Sequence, residues 1–212
     1  IRQVQYVGGK LVQTISMTNV ATRSLLAKRT LDIIGGIIGC LITVLLTVIL
    51  GPLIYIQSPG PIFFSQIPVG KNGKPFKMYK FRSMELQSPA EEKKAWTVKN
   101  DPRVTGVGKL LRRTSLDELP QLFNILKGDM AIVGNRPLSV KEAELLTTDE
   151  EGIRFKASAG LTGLWQVDPR KDDMPPEERI RLDNEYAEKE SLAFDVILIF
   201  KTVKRVIFGT NV

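Results

Sequence analysis

The 212-residue chain contains no histidine. That absence removes imidazole acid–base catalysis, Ser-His-Asp triads and histidine metal sites at once. The single cysteine, Cys40, excludes an internal disulfide and a cysteine zinc site; set in an apolar run, it reads as a small hydrophobe. Negative charge is in deficit. Thirty Lys and Arg against 23 Asp and Glu leave a net charge of +7, which points to an anionic partner: nucleic acid, anionic lipid or a phosphorylated substrate. Catalysis, if any, must rest on carboxylates, lysines, arginines, hydroxyls or a metal. The length suits one core with a small appendage. A start at Ile1, without an initiator methionine, leads us to expect a piece of a longer protein.

One stretch has no charge at all. From Ile33 to Ile56 the chain is apolar, introduced by Lys28-Arg29. The run is long enough for a membrane segment and lies too far in for a signal peptide. A plain spanning helix is one reading, since Ile33 to Leu50 alone would reach about 27 Å. Two features favour a re-entrant helix-break-helix instead. Gly51-Pro52 interrupts the run, where a break or kink is expected. Basic residues also flank both sides (Arg23, Lys28 and Arg29 before; Lys71, Lys74, Lys77, Lys80 and Arg82 after), and the positive-inside rule puts both flanks in the cytoplasm.

The expected fold class is α+β, mostly helical. Residues 1–27 read as the remnant of a preceding domain or linker, with a hairpin about Gly8-Gly9. Residues 28–57 form the membrane hairpin, and 58–212 a catalytic domain with short strands and interfacial helices. Within it, Ser58-Pro59-Gly60-Pro61 is a rigid turn leaving the membrane. Short strands are expected near Ile62–Phe64 and Pro75–Phe81, and a helix starting at Ser88-Pro89 with Glu91. Asp101 to Gly108 reads as a loop, Lys109–Arg113 as a short basic helix, and Gln121–Leu126 as a helix that Gly128 ends. Ser139–Leu146 reads as helix, Ala159–Val167 as a glycine-punctuated loop, Pro176–Glu190 as a charged helix carrying Asp183. Phe194–Phe208 is an apolar helix, either core or membrane interface.

The stretch Thr114 to Gln121, T-S-L-D-E-L-P-Q, concentrates the chemistry. Asp117 and Glu118 follow the basic run Lys109, Arg112 and Arg113, and carboxylates beside arginines suit phosphate chemistry with a divalent cation. The same letters also fit a helix cap: Ser115 with Glu118 as a capping box, or Asp117 as the cap with Pro120 in the first turn. Both readings stand at this level.

Ten ordered blocks carry a family resemblance: K-R-T-L-D at 28–32, S-P-G-P at 58–61, V-G-K-N-G-K-P-F at 69–76, Y-K-F-R-S-M at 79–84 and D-P-R-V-T at 101–105. R-R-T-S-L-D-E-L-P-Q-L at 112–122, G-D-M at 128–130, G-N-R-P at 134–137, G-L-T-G-L-W-Q-V at 160–167 and L-D-N-E-Y at 182–186 complete them. Over residues 28 to 210 the chain resembles the bacterial sugar transferases, the monotopic phosphoglycosyl transferases.

The resemblance implies transfer of a sugar 1-phosphate from a UDP-sugar to polyprenyl (undecaprenyl) phosphate. UMP leaves, and the reaction is the first membrane step of exopolysaccharide, capsule, O-antigen or glycoprotein glycan assembly. It implies a covalent phosphosugar on Asp117, Mg²⁺ held by Glu118 and Asp117, and a re-entrant helix broken at Gly51-Pro52. It implies Lys80, Arg112, Arg136, Arg170 and Asp183 as substrate- or phosphate-binding residues. The location implied is the cytoplasmic face of the bacterial inner membrane. The partners are the donor, the lipid acceptor and the bilayer, with no nucleic acid and with a homo-oligomer left open. The chain departs from the family's common residues at Pro68, Asn135, Ala159 and Asp168-Pro169. Two alternatives belong to other classes: a metal-dependent glycosyltransferase releasing UDP, and a non-enzymatic membrane-anchored binding module.

Overall fold

A computed structural model describes residues 22–86, 101–146, 151–171 and 173–208, with the backbone of two strands at 2–7 and 10–15. Those strands, β1 (Arg2–Val7) and β2 (Lys10–Ile15), pair antiparallel as the expected hairpin. The helix expected at Ser88-Pro89 lies outside the described residues.

Helix α1 (Thr22–Gln57) runs through the whole apolar stretch. At 1.5 Å per residue its 36 residues reach about 54 Å. Its hydroxyls are satisfied internally: Thr43 Oγ1 donates to the Gly39 carbonyl and Thr47 Oγ1 to the Thr43 carbonyl, each at 2.7 Å. Of the break or kink expected at Gly51-Pro52, the break is not seen. Pro52 sits inside one continuous helix, because the turn around it stays packed: Leu50 and Ile54 are buried against Phe81 and Leu111. The segment Ser24–Gln57 is long and apolar enough to cross a membrane.

A single stripe of α1 is buried along its length: Lys28, Asp32, Cys40, Thr43, Leu50 and Ile54. These positions recur at helical spacing. Gly35, Gly36 and Gly39 let the neighbours come close; a Cβ on them would lie 2.5, 2.6 and 2.5 Å from Ile132, Leu126 and Leu122. The other faces of α1 expose fifteen large apolar side chains, from Leu25 to Ile56. Left in water they would forgo roughly 20 kcal/mol of burial, at about 1.5 kcal/mol each.

The rest of the chain lies along that stripe. Strands β3 (Phe63–Gln66) and β5 (Met78–Phe81) pair antiparallel, with Phe64 opposite Lys80. The short β4 (Pro68–Val69) pairs with β7 (Leu138–Ser139). Strand β6 (Met130–Val133) runs parallel to β8 (Ala159–Thr162). Ala159–Val167 is therefore not a loop throughout. Its first four residues are a strand, recruited by pairing with residues some thirty positions away, and Trp165–Val167 forms a 3₁₀ turn.

Helix α2 (Gly106–Arg113) begins earlier than expected, because Thr105 Oγ1 accepts from the Gly108 amide at 3.0 Å and caps it. Helix α3 (Gln121–Lys127) ends at Gly128, φ +94°, as expected. Helices α4 (Val140–Leu146), α5 (Pro176–Lys189) and α6 (Leu192–Phe208) follow. Helix α6 is both core and surface: Asp195 and Leu198 are buried, while Val196, Ile197, Phe200, Val203 and Val206 are exposed.

Both ends of α1 are tied to this one domain. Lys28 Nζ donates to Asp195 Oδ2 (2.6 Å), Tyr186 Oη (2.9 Å) and the Val133 carbonyl (3.0 Å), and sits 3.1 Å from Glu190. At the far end the Val107 amide donates to Gln57 Oε1 at 2.8 Å.

Candidate active site

Three segments converge on one side of a groove of about 1610 Å³. Strand β5 supplies Lys80, the turn after α2 supplies Asp117 and Glu118, and the loop after β6 supplies Arg136. The turn is set by Ser115, which adopts the left-handed region (φ +56°, ψ +17°) at a cost of about 1–2 kcal/mol. A 3₁₀ turn, Leu116–Glu118, follows, and Pro120 at φ −60° leads into α3. Neither capping reading holds. Ser115 and Pro120 precede the two helical segments without any side-chain cap bond, and Asp117 caps nothing.

The two carboxylates stand in different circumstances. Glu118 Oε1 accepts from Lys80 Nζ at 3.1 Å and Arg136 Nη2 at 3.0 Å. Burial alone would raise its pKa, but Arg136 and Lys80 outweigh burial and hold it at about 2. Asp117 has no hydrogen bond or ion pair among the described residues. Burial, and then the Glu118 charge, push its pKa up, with Lys80, Arg112 and Arg136 pulling the other way. One carboxylate is a clamped anion; its neighbour is uncommitted and more basic.

The clamp is rigidly mounted. Asn124 of α3 receives the Tyr79 amide at 3.2 Å and donates to the Lys77 carbonyl at 2.6 Å, fixing β5 against the helix that follows Glu118. Asn124 was not among the expected site residues; a polar side chain in the apolar series L-F-N-I-L was its only signal. Arg112, in the last turn of α2, donates Nε to Ser83 Oγ at 2.9 Å and lines the same groove.

Arg136 is held from behind. The Arg154 guanidinium donates to the Arg136 carbonyl at 2.7 Å and pairs with Asp183 at 2.8 Å. Asn135 Nδ2 donates to the Arg154 carbonyl (2.8 Å) and the Asp183 carbonyl (3.0 Å). A Cβ on Gly160 would lie 2.2 Å from the Gly134 nitrogen, so only glycine permits this approach of the two backbones. Asp183 therefore sits behind the groove, not on its wall. Burial pushes it up to about 7 against the pull of Arg154.

Arg170 lies outside the groove. Its exposed guanidinium pairs with Asp168 at 3.2 Å and Glu178 at 3.0 Å. Its neighbours Trp165, Gln166 and Lys171 line the groove instead, together with Arg179, whose guanidinium stacks 5.0 Å from the Trp165 ring.

Among the described residues no three acidic, histidine or cysteine side chains gather as a metal cage. What is present fits a different kind of site. Asp117 and the second oxygen of Glu118 are oxygen ligands without partners among the described residues. Mg²⁺ is commonly held by one or two carboxylates, with water and substrate phosphate completing its shell.

Comparison with known proteins gives this geometry its setting. The family model described as "Bacterial sugar transferase" matches residues 23–209. The chain is 40% identical to the galactosyl transferase CpsE of Streptococcus agalactiae serotype III, over 99% of this chain and 49% of that protein. It is 41% identical to the undecaprenyl-phosphate galactose phosphotransferase of Salmonella typhimurium, over 89% of this chain and 42% of that protein. It is 36% identical to the exopolysaccharide production protein ExoY of Rhizobium meliloti, over 85% of each. The chain thus spans less than half the length of the first two and most of the third. With a family match across nearly its whole length, the chain belongs to the bacterial sugar transferase family.

Proposed function

We propose that the chain transfers a sugar 1-phosphate from a UDP-sugar to polyprenyl phosphate, in two steps, at the cytoplasmic face of a bacterial membrane. The observation that carries this reading is the asymmetry of the carboxylate pair: Glu118 is clamped by Lys80 and Arg136, while Asp117 lies beside it without a partner among the described residues. The names of the Salmonella and Streptococcus relatives support the substrate class.

In the first step an Asp117 carboxylate oxygen attacks the sugar-bearing phosphorus of the donor. The bond from that phosphorus to the bridging oxygen breaks, and UMP leaves with the oxygen. Lys80, Arg112 and Arg136 are positioned to receive diphosphate oxygens, so the protein contributes mainly placement and positive charge. In the second step an oxygen of the acceptor phosphate attacks the same phosphorus, and the Asp117 carboxylate is released. Mg²⁺, held by Asp117 and Glu118, would supply charge neutralisation at the diphosphate and at the departing UMP.

The bilayer reading rests on α1 and α6. One domain holds both ends of α1, and its outward faces are apolar, as is one face of α6. That supports a helix bent at Pro52 within the bilayer, its two ends staying on one side, with the pair of carboxylates facing that side. Transfer of this kind would serve as the first membrane step of exopolysaccharide or related glycan assembly.

The test is nucleotide release with UDP-galactose and undecaprenyl phosphate. UMP is expected, with a phosphosugar trapped on Asp117, and Asp117→Asn should lose at least about a thousandfold in turnover. UDP as the product, or full activity in Asp117→Asn, would refute the reading. Cysteine labelling at the two flanks of α1 is expected to occur from one side only.

A further inference from the structure

Arg82 borders the groove and has no part in the steps above. It continues the β3–β5 ladder, its amide donating to the Ile62 carbonyl at 2.9 Å. Two residues after Lys80, it leaves the same face of the strand about 7 Å further on. The residue is only 5% exposed. Its Nη2 donates to the main-chain carbonyl of Ser58, where α1 has just ended. Its Nε and Nη1 are buried without a partner.

That combination is unusual within this protein. The other arginine buried as deeply among the described residues, Arg154, holds Asp183. Among the described residues no carboxylate pairs with Arg82. A guanidinium does not shed its charge, and a sealed charge without a counter-ion is strongly unfavourable. Burial alone depresses its pKa, with no anion acting against it.

The surroundings are shaped to the guanidinium. Gly60 stands at φ +139°, and a Cβ there would come 2.9 Å from Arg82 Nη1 and 2.4 Å from Leu86. The turn Ser58–Pro61 therefore wraps the arginine. Next along the chain Ser83 Oγ accepts from Arg112, and the charge of Arg112 acts on Asp117. Arg82, Arg112 and Asp117 all line the groove. Ile67 and Leu86, 64% and 54% exposed, also line the groove.

We propose that Arg82 docks the phosphate of the lipid-linked acceptor, a phosphate monoester on a long apolar chain that arrives along the turn where α1 ends. The assignment rests on the two-step reading above and adds the acceptor's place to it. The exposed apolar side chains of Ile67 and Leu86 suit an isoprenoid chain. From Arg82 the acceptor oxygen attacks the phosphorus carried by Asp117, the phosphorus–carboxylate bond breaks, and the carboxylate returns. Atoms and charge balance without a proton.

The experiment uses the full chain in phosphatidylcholine nanodiscs, as wild type, Arg82→Gln and Arg82→Lys. UMP released from UDP-galactose without acceptor reads the first step; KM for undecaprenyl phosphate at saturating donor reads the second. Both variants are expected to keep the first-step burst and to raise the acceptor KM at least tenfold. Arg82→Lys retains a donor for Ser58, so its thermal midpoint should match wild type, which covers the case in which Arg82→Gln fails to fold. An unmoved acceptor KM, or a burst that falls in parallel with acceptor use, overturns the proposal. Substituting phosphatidylglycerol for part of the bilayer separates the sources. If that lipid competes at Arg82 as well as the acceptor does, raising the wild-type acceptor KM tenfold, the site reads headgroups in general and the acceptor assignment is wrong. A wild-type protein without a burst would refute the two-step reading itself, and the split between acceptor KM and donor KM would then decide on Arg82 alone.

Discussion

Replacing Lys80 with methionine takes one of two cations off Glu118 and leaves the shape of the site largely intact. In the native protein Glu118 is held at about 2 against an ordinary value of 4.5, despite burial that acts in the opposite direction. Net of the opposing burial, that lowering corresponds to about 3 kcal/mol. Arg136 supplies the larger share of the attraction and Lys80 the next, so Lys80→Met should forfeit about 1 kcal/mol. The sign follows from the depressed pKa. The stabilisation is fully present above the unfolded value near 4.5 and is lost as pH falls toward 2. Denaturant unfolding of wild type and Lys80→Met, in the same detergent, should therefore differ by about 1 kcal/mol at pH 6–7, and the gap should shrink steadily below pH 4.5. Pairing the variant with Glu118→Gln in a double-mutant cycle isolates the contact. A gap that does not change with pH, or a coupling near zero, would refute the claim that Lys80 acts on an ionised Glu118.

Lys28→Met should cost about 3–5 kcal/mol, because it strands the buried Asp195 carboxylate; thermal unfolding checks it, and Lys28→Met combined with Asp195→Leu should recover part of the loss. Asp183, pushed up to about 7 by burial, makes the folded state bind a proton more readily than the unfolded one. Its contribution is present below pH 4 and lost as pH rises through 7, so Asp183→Asn should flatten stability across that window in a pH series of unfolding curves. Asn135→Ala removes donors from two main-chain carbonyls and should cost about 2 kcal/mol, with kcat falling more than donor KM as Arg136 loosens. Arg170→Ala, an exposed pair outside the groove, should change stability by under about 1 kcal/mol and leave the acceptor and donor KM values within about twofold.

Much of the fold was legible because its signals are local. The uncharged run Ile33–Ile56 announces α1, Gly128 marks a helix end, and the flanks of Gly8-Gly9 announce a hairpin. What was not legible depends on partners distant in sequence. A-G-L-T at 159–162 reads as loop because glycine weakens a strand, yet β6 pairs with it and requires Gly160 where the backbones nearly touch. Pro52 reads as a break, since it removes a helical bond; packing of Leu50 and Ile54 on Phe81 and Leu111 carries the helix past it.

The site divides along the same line. The letters D-E after R-R suit phosphate chemistry, but the same letters fit a helix cap, and sequence could not choose between them. The choice turns on Ser115, whose left-handed backbone swings Asp117 and Glu118 out of any capping position. Residue type alone also makes Arg170 and Asp183 resemble Arg136. Their surroundings separate them. Arg136 is committed to Glu118 through its side chain and to Arg154 through its carbonyl, and Arg154 in turn depends on Asp183. Asp183 can therefore govern the charge at Glu118 without meeting a substrate, since moving it frees Arg154 and, through the carbonyl, the backbone that aims Arg136. Asn135 supports the same backbone by hydrogen bonds to the carbonyls of both Arg154 and Asp183. The cross-linking amide meets one requirement of the proposed chemistry: the Arg136 guanidinium is held in place before any phosphate arrives.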